Sequence, residues 1–194
     1  MTDKFQDKYR IPSARLQNWD YGSNAIYFVT ICTQGRELYF GEISNQKMGF
    51  SEIGEIAHRF WNEIPNHFPF VELSEFVVMP NHVHGIIIID KATGGNGNAI
   101  PNATVETQNF ASLPPPPQKY HHANTFGPQS QNLASIIRGY KTGVKKYATL
   151  NRINFAWQSR FHDHIIRDND SFQRISNYIL NNPLNWAEDQ LFMH

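Results

Sequence analysis

The chain has 194 residues, with 17 basic and 17 acidic side chains and a formal net charge of zero. That length suits one domain with a true core and would cramp two. The charge balance excludes a surface that attracts nucleic acid as a whole, so any such contact must be a local basic patch.

A single cysteine, Cys32, excludes an intramolecular disulfide and fits a reducing cytoplasm. Residues 1–10 are polar and charged, without a signal core. The longest apolar run, Gly85 to Ile89, is too short to span a bilayer. The expectation is a soluble cytoplasmic protein with no membrane partner.

Residues 1–23 read as an irregular leader, and 24–194 as the domain. Ala25 to Thr33 is rich in β-branched and aromatic residues and predicts a buried strand. Gly41 to Phe50, with Asn45 and Gly49, suits a short hairpin. Ser51 precedes two acids in a first turn and predicts a helix N-cap. Ile53, Ile56, Ala57, Phe60, Trp61 and Ile64 recur at helical spacing, so 52–66 predicts an amphipathic helix. Val71 to Met79 and His82 to Asp90 predict two strands joined at Pro80-Asn81.

The composition then changes. Residues 91–128 hold Gly-Gly-Asn-Gly-Asn and Pro114 to Pro117, which cannot build a packed core, and they read as a flexible insertion. The proline tract reads as a stiff spacer rather than a docking segment. Gln131 to Leu150 predicts a second helix, with Leu133, Ile136, Ile137, Tyr140, Val144 and Tyr147 on one stripe. Phe155 to Ile166 reads as a strand, and Ser171 to Leu180 as a third helix stopped by Asn181-Asn182-Pro183. The order predicts an α+β fold: a ferredoxin-like antiparallel sheet with helices packed on one face.

Chemistry concentrates at Met79-Pro-Asn-His-Val-His-Gly. Alternate strand residues share a face, so His82 and His84 point together and can share one divalent cation. The pair alone reads equally as two half-exposed histidines at a strand start. Tyr140 lies on the apolar stripe of its helix, which must face the sheet, so its phenol is expected near the imidazoles. Without the histidines it reads as a core aromatic. Arg138, Lys141, Lys145 and Lys146 flank the stripe and, with Arg160, are candidate phosphate contacts. Tyr147 is the rival nucleophile.

Other groups read more plainly. His162 and His164 form a second His-x-His, with a surface or structural role weighed above ligation. His121-His122 fall in the insertion, and Arg167 is a solubilising charge or a phosphate contact. Trp157 and Phe161 read as core aromatics rather than base-stacking platforms. Cys32 reads as inert.

Val78-Met-Pro-Asn-His-Val-His-Gly, the helix with Arg138-Gly-Tyr140, and Phe155-Ala-Trp-Gln-Ser-Arg-Phe-His-Asp-His together resemble the HUH-class tyrosine transposases. Within that class the chain looks most like the REP-associated tyrosine transposases. The resemblance spans nearly all of the chain except 91–128. It implies that His82 and His84 hold Mg²⁺ or Mn²⁺ and that Tyr140 attacks a phosphodiester to form a 5′-phosphotyrosine. The implied substrate is single-stranded DNA with hairpins near palindromic repeats, and a homodimer is the expected one of two assemblies among relatives. Two alternatives stand beside it: a non-catalytic hairpin-binding protein of the same fold, and a metal-dependent phosphodiesterase in which water attacks. Related transposases carry a glutamine one helical turn after the tyrosine as a further metal ligand. Here that position is Val144, which cannot ligate.

Overall fold

The β-rich and helix-periodic stretches of the sequence alternate, and the fold follows that alternation. A computed structural model describes residues 19–91, 130–189, 16 and 191, and the backbone at 4–5 and 8–9. Most of the expected leader falls outside these residues. So does nearly all of the expected insertion, with His121-His122 and Pro114 to Pro117. Two short strands, β1 (Lys4–Phe5) and β2 (Lys8–Tyr9), pair with each other.

The central strand β3 (Ala25–Cys32) leads through a 3-10 turn to a hairpin of β4 (Gly41–Ser44) and β5 (Lys47–Phe50). Its turn residues Asn45 and Gln46 both take positive φ, 51° and 62°, as a tight two-residue hairpin requires. Ser51 caps α1 (Glu52–Asn62), its side chain accepting from the Gly54 amide. The expected 52–66 helix breaks at Glu63, because Pro65 cannot donate to the ladder. Ile64–His67 continues as a separate single turn, α2.

Then come β6 (Val71–Met79), β7 (His82–Ile89), α3 (Leu133–Leu150), β8 (His162–Ile166) and α4 (Asn169–Asn181). An Asn132/Ser135 capping box starts α3, and Asp168 caps α4 by accepting from the Ser171 amide. The expected 155–166 strand shrinks to its last five residues. Before it, Trp157 makes only an isolated bridge to Thr33.

The main sheet has the order β6-β7-β3-β8, antiparallel throughout. With α1 and α3 as crossovers, this is the ferredoxin-like arrangement expected from the sequence. One part differs. The helices do not all lie on one face: α1 and α3 cover one side and α4 the other. The cause lies in β7. Val83, Ile87 and Ile89 join the core under α1 and α3, whereas Ile86 packs with Ile26, Ile166, Phe172 and Ile179 under α4. A strand that is apolar at both parities needs cover on both faces. Trp61 of α1 sits directly over Gly85, where a Cβ would stand 2.3 Å from the indole.

Candidate metal and DNA site

Parity settles where the histidines point. His82 and His84 share a face with Ile86, so both imidazoles lie on the α4 side of the sheet. Both are buried, with ring centroids 4.3 Å apart. Their outer nitrogens are held. Asn81 donates its amide N–H to the Leu191 carbonyl at 2.8 Å, which turns its Oδ1 toward His82 Nδ1, also at 2.8 Å. An amide oxygen can only accept, so the proton sits on Nδ1 and the Nε2 lone pair is free. Thr30 Oγ1 lies 2.9 Å from His84 Nδ1 and holds the orientation of that ring. Hydrogen bonding of one ring nitrogen is how proteins aim the other at a metal.

Two buried polar atoms lack a hydrogen-bond partner among the described residues at this spot: His82 Nε2 and the Asn182 amide oxygen. Asn182 is close enough to act on the His82 titration. Its amide nitrogen donates to Asp189 Oδ2 at 3.0 Å, which leaves its oxygen facing the other way. A lone pair and a carbonyl oxygen cannot satisfy each other, but a cation satisfies both. His82, His84 and Asp189 each place a ligand atom within 4.8 Å of the others. Burial depresses the pKa of both histidines, that of His84 to about 4, and the neighbouring imidazole lowers His82 further. Both rings are therefore neutral at physiological pH, as ligation requires. Two imidazole nitrogens with carboxylate and amide oxygens make a donor set that can hold a divalent cation.

The tyrosine beside them is not Tyr140. Tyr178, on α4, holds its hydroxyl 3.2 Å from His84 Nε2, with the two rings 5.3 Å apart. It is 46% exposed, so the phenol is open to solvent on its other side. Burial is the main cause that raises its pKa, with the Asp189 charge adding to it. Asn182 follows Tyr178 by one helical turn.

Tyr140 corrects the sequence expectation. Its stripe faces the opposite side of the sheet. The ring packs on Trp61 and Trp157 at 5.3 and 5.7 Å, and the hydroxyl donates to the Ala57 carbonyl at 3.1 Å. Burial pushes its pKa far above the ordinary phenol value. Tyr147 lies on that side too, donating to Glu52 Oε1 at 2.9 Å. Val144, fully buried in the same core, is thus not at a ligand position at all.

The candidate phosphate contacts also gather on the α3 side. Arg138, Lys141, Lys145, Lys146 and Arg160 all line one groove of about 640 Å³. Within it, Lys145 donates to the Phe155 carbonyl at 2.5 Å, and Lys141 to those of Gln158 and Arg160 at 2.6 and 3.0 Å. These two ammonium groups clip α3 to the segment before β8. His162 and His164 are exposed and stay outside the metal cluster. Cys32 is buried, and burial raises its thiol pKa.

Sequence reasoning missed Tyr178, Asn182 and Asp189, although a signal existed. Among the described residues three tyrosines lie on helices, and of these Tyr147 and Tyr178 have an amide side chain four residues on, at Asn151 and Asn182. Only the second pair faces the histidines.

Among the described residues no helix is long and apolar enough to cross a membrane. No family model matches the chain. An uncharacterized protein of Haemophilus influenzae is 40% identical over 182 residues, covering 93% of this chain and 92% of that one. Among solved structures, a REP-associated tyrosine transposase bound to a REP hairpin superposes with a TM-score of 0.54 at 16% identity. The match covers 93% of this chain and 77% of that one. At that identity the likeness is one of fold.

Proposed function

We propose that this chain, which belongs to one family with the Haemophilus influenzae protein and has the fold of a REP-associated tyrosine transposase, is a metal-dependent enzyme that cuts and rejoins single-stranded DNA through Tyr178. One observation carries the reading. A half-exposed phenol stands 3.2 Å from a buried imidazole pair that has a carboxylate and an unsatisfied amide oxygen beside it. The transposase of matching fold was solved on a hairpin, which supports hairpin-bearing DNA as the substrate class here.

His82, His84, Asp189 and the Asn182 oxygen would hold the cation. When bound, it supplies charge neutralisation on the scissile phosphate. Tyr178 does the covalent work. Its oxygen attacks phosphorus, the O–P bond forms, the bond to the 3′-oxygen breaks, and a 5′-phosphotyrosine results. The phenol proton leaves to water, and the departing 3′-oxygen takes one up. A free 3′-hydroxyl can reverse the step on the same or another strand, so bond energy is conserved without a nucleotide cofactor. Asn81 and Thr30 position the imidazoles, and Phe28 packs on the His84 ring at 5.2 Å.

The test is incubation with single-stranded hairpin oligonucleotides and Mg²⁺ or Mn²⁺, followed by denaturing electrophoresis. A protein–DNA adduct lost in Tyr178→Phe and kept in Tyr140→Phe is expected. An adduct that survives Tyr178→Phe overturns the assignment. Specific binding with no adduct identifies a binding protein of this fold, and tyrosine-independent cleavage identifies attack by water.

A further inference from the structure

The groove beside α3 lies on the face away from Tyr178, and the chemistry proposed above does not use it. Five of its lining side chains are cationic and none is acidic, in a chain whose net charge is zero. That segregation favours a polyanion over a protein surface or a neutral ligand. Lys141 and Lys145 donate to main-chain carbonyls. Arg138, Lys146 and Arg160 sit on exposed positions around the rim.

The rest of the lining is Thr142, Thr149, two aliphatic residues and the aromatics Trp157 and Phe161. Trp157 is fixed in place, its Nε1 donating to the Lys141 carbonyl at 3.1 Å and the Lys141 ammonium lying 5.8 Å from its ring centroid, and the half-buried Phe161 lines the same groove. An aromatic floor under a cationic rim is what a stacked base with flanking phosphates requires. A duplex stem would meet the rim but leave the floor unused.

Position links the groove to the histidines. Trp157 bridges Thr33, the Gln158 amide donates to the Cys32 carbonyl at 2.9 Å, and Cys32 pairs with His82. The backbones of Trp157 and His82 are thus two strand spacings apart, or ~10 Å, at one end of the sheet. A DNA strand seated at the histidines can round that end and enter the groove.

We infer that the groove binds an unpaired nucleotide of the substrate strand, its base on Trp157 and Phe161 and its phosphates on Arg138, Lys146 and Arg160. This rests on the reading of the chain as a single-strand enzyme. Fluorescence anisotropy with a labelled single-stranded oligonucleotide and a blunt duplex of the same sequence tests it. The triple variant Arg138→Glu/Lys146→Glu/Arg160→Glu is expected to bind the single strand at least 10-fold more weakly. Its salt dependence should flatten by about 2 in log–log slope. Phe161→Ala should weaken single-strand binding roughly 5-fold or more and leave duplex binding unchanged. Thermal melting of each variant separates lost binding from lost fold. Wild-type affinity and slope in the triple variant overturn the inference, as does an equal loss for duplex in Phe161→Ala.

The same preparations keep the two readings apart. An adduct lost in Tyr178→Phe, with groove variants binding normally, leaves the chemistry standing and removes the groove. No adduct in wild type, with binding lost in the groove variants, does the reverse.

Discussion

The two faces of the sheet put the same residue types to opposite uses. Under α1 and α3, Tyr140 is a dry core aromatic wedged between two tryptophans, its hydroxyl closed on a carbonyl. Under α4, Tyr178 is half-exposed beside two histidines, and two buried acceptors have no partner among the described residues. Unmet polar groups are costly, and a bound cation would relieve this pair of acceptors together. On the proposed reading, the first face serves stability and the second chemistry.

Exchanging phenol for phenyl on each face is the sharpest way to break this contrast. Tyr178→Phe should lower adduct formation on the order of 10⁴-fold or more, with little change in melting temperature. Tyr140→Phe should keep the activity and cost about 1 kcal/mol, read by chemical denaturation. Equal loss of activity in both would dissolve the distinction.

Acid should expose the second face next. His84 titrates near 4 when folded, against an ordinary value of 6.5, and His82 shifts in the same direction. Both states are neutral above that ordinary value, so stability there is flat. As pH falls through 6.5 the unfolded chain takes up protons first, and metal-free protein loses stability until about pH 4. The loss is on the order of 3 kcal/mol from His84 alone. Denaturation midpoints at pH 7 and pH 4.5, with chelator present, measure it. A flat profile would mean that the imidazoles are not desolvated.

Asn81→Ala should weaken divalent-cation binding roughly 10- to 100-fold in calorimetric titration, because His82 loses the acceptor that fixes its tautomer. Unchanged affinity would separate Asn81 from the site. On the other face, Gly85→Ala should cost about 1–3 kcal/mol in denaturation, since the new methyl meets the Trp61 ring with no space to relax into. A neutral outcome would show that α1 can shift.

The histidine pair, the order of elements and the ferredoxin-like topology are all written locally. Strand parity forces His82 and His84 to one side, helical periodicity marks 52–66 and 131–150, of which the structure keeps Glu52–Asn62 and Leu133–Leu150 as α-helices, and Ser51 is a cap that reads directly from sequence. The groove cations were legible too, as a cluster, because all but Arg160 come from one helix.

What the sequence left open is which helix covers which face. Parity says that two residues share a side, and a helical stripe says that it packs on a sheet, but neither says that the two sides are the same. That pairing depends on contacts between segments far apart in the chain, and it put Tyr178 rather than Tyr140 beside the histidines, which moves the proposed nucleophile. It also brought Asn182 and Asp189, from beyond the last strand, to the imidazoles of β7. Only the assembled sheet with helices on both faces fixes those distances, because burial of two apolar surfaces decides where each helix can dock.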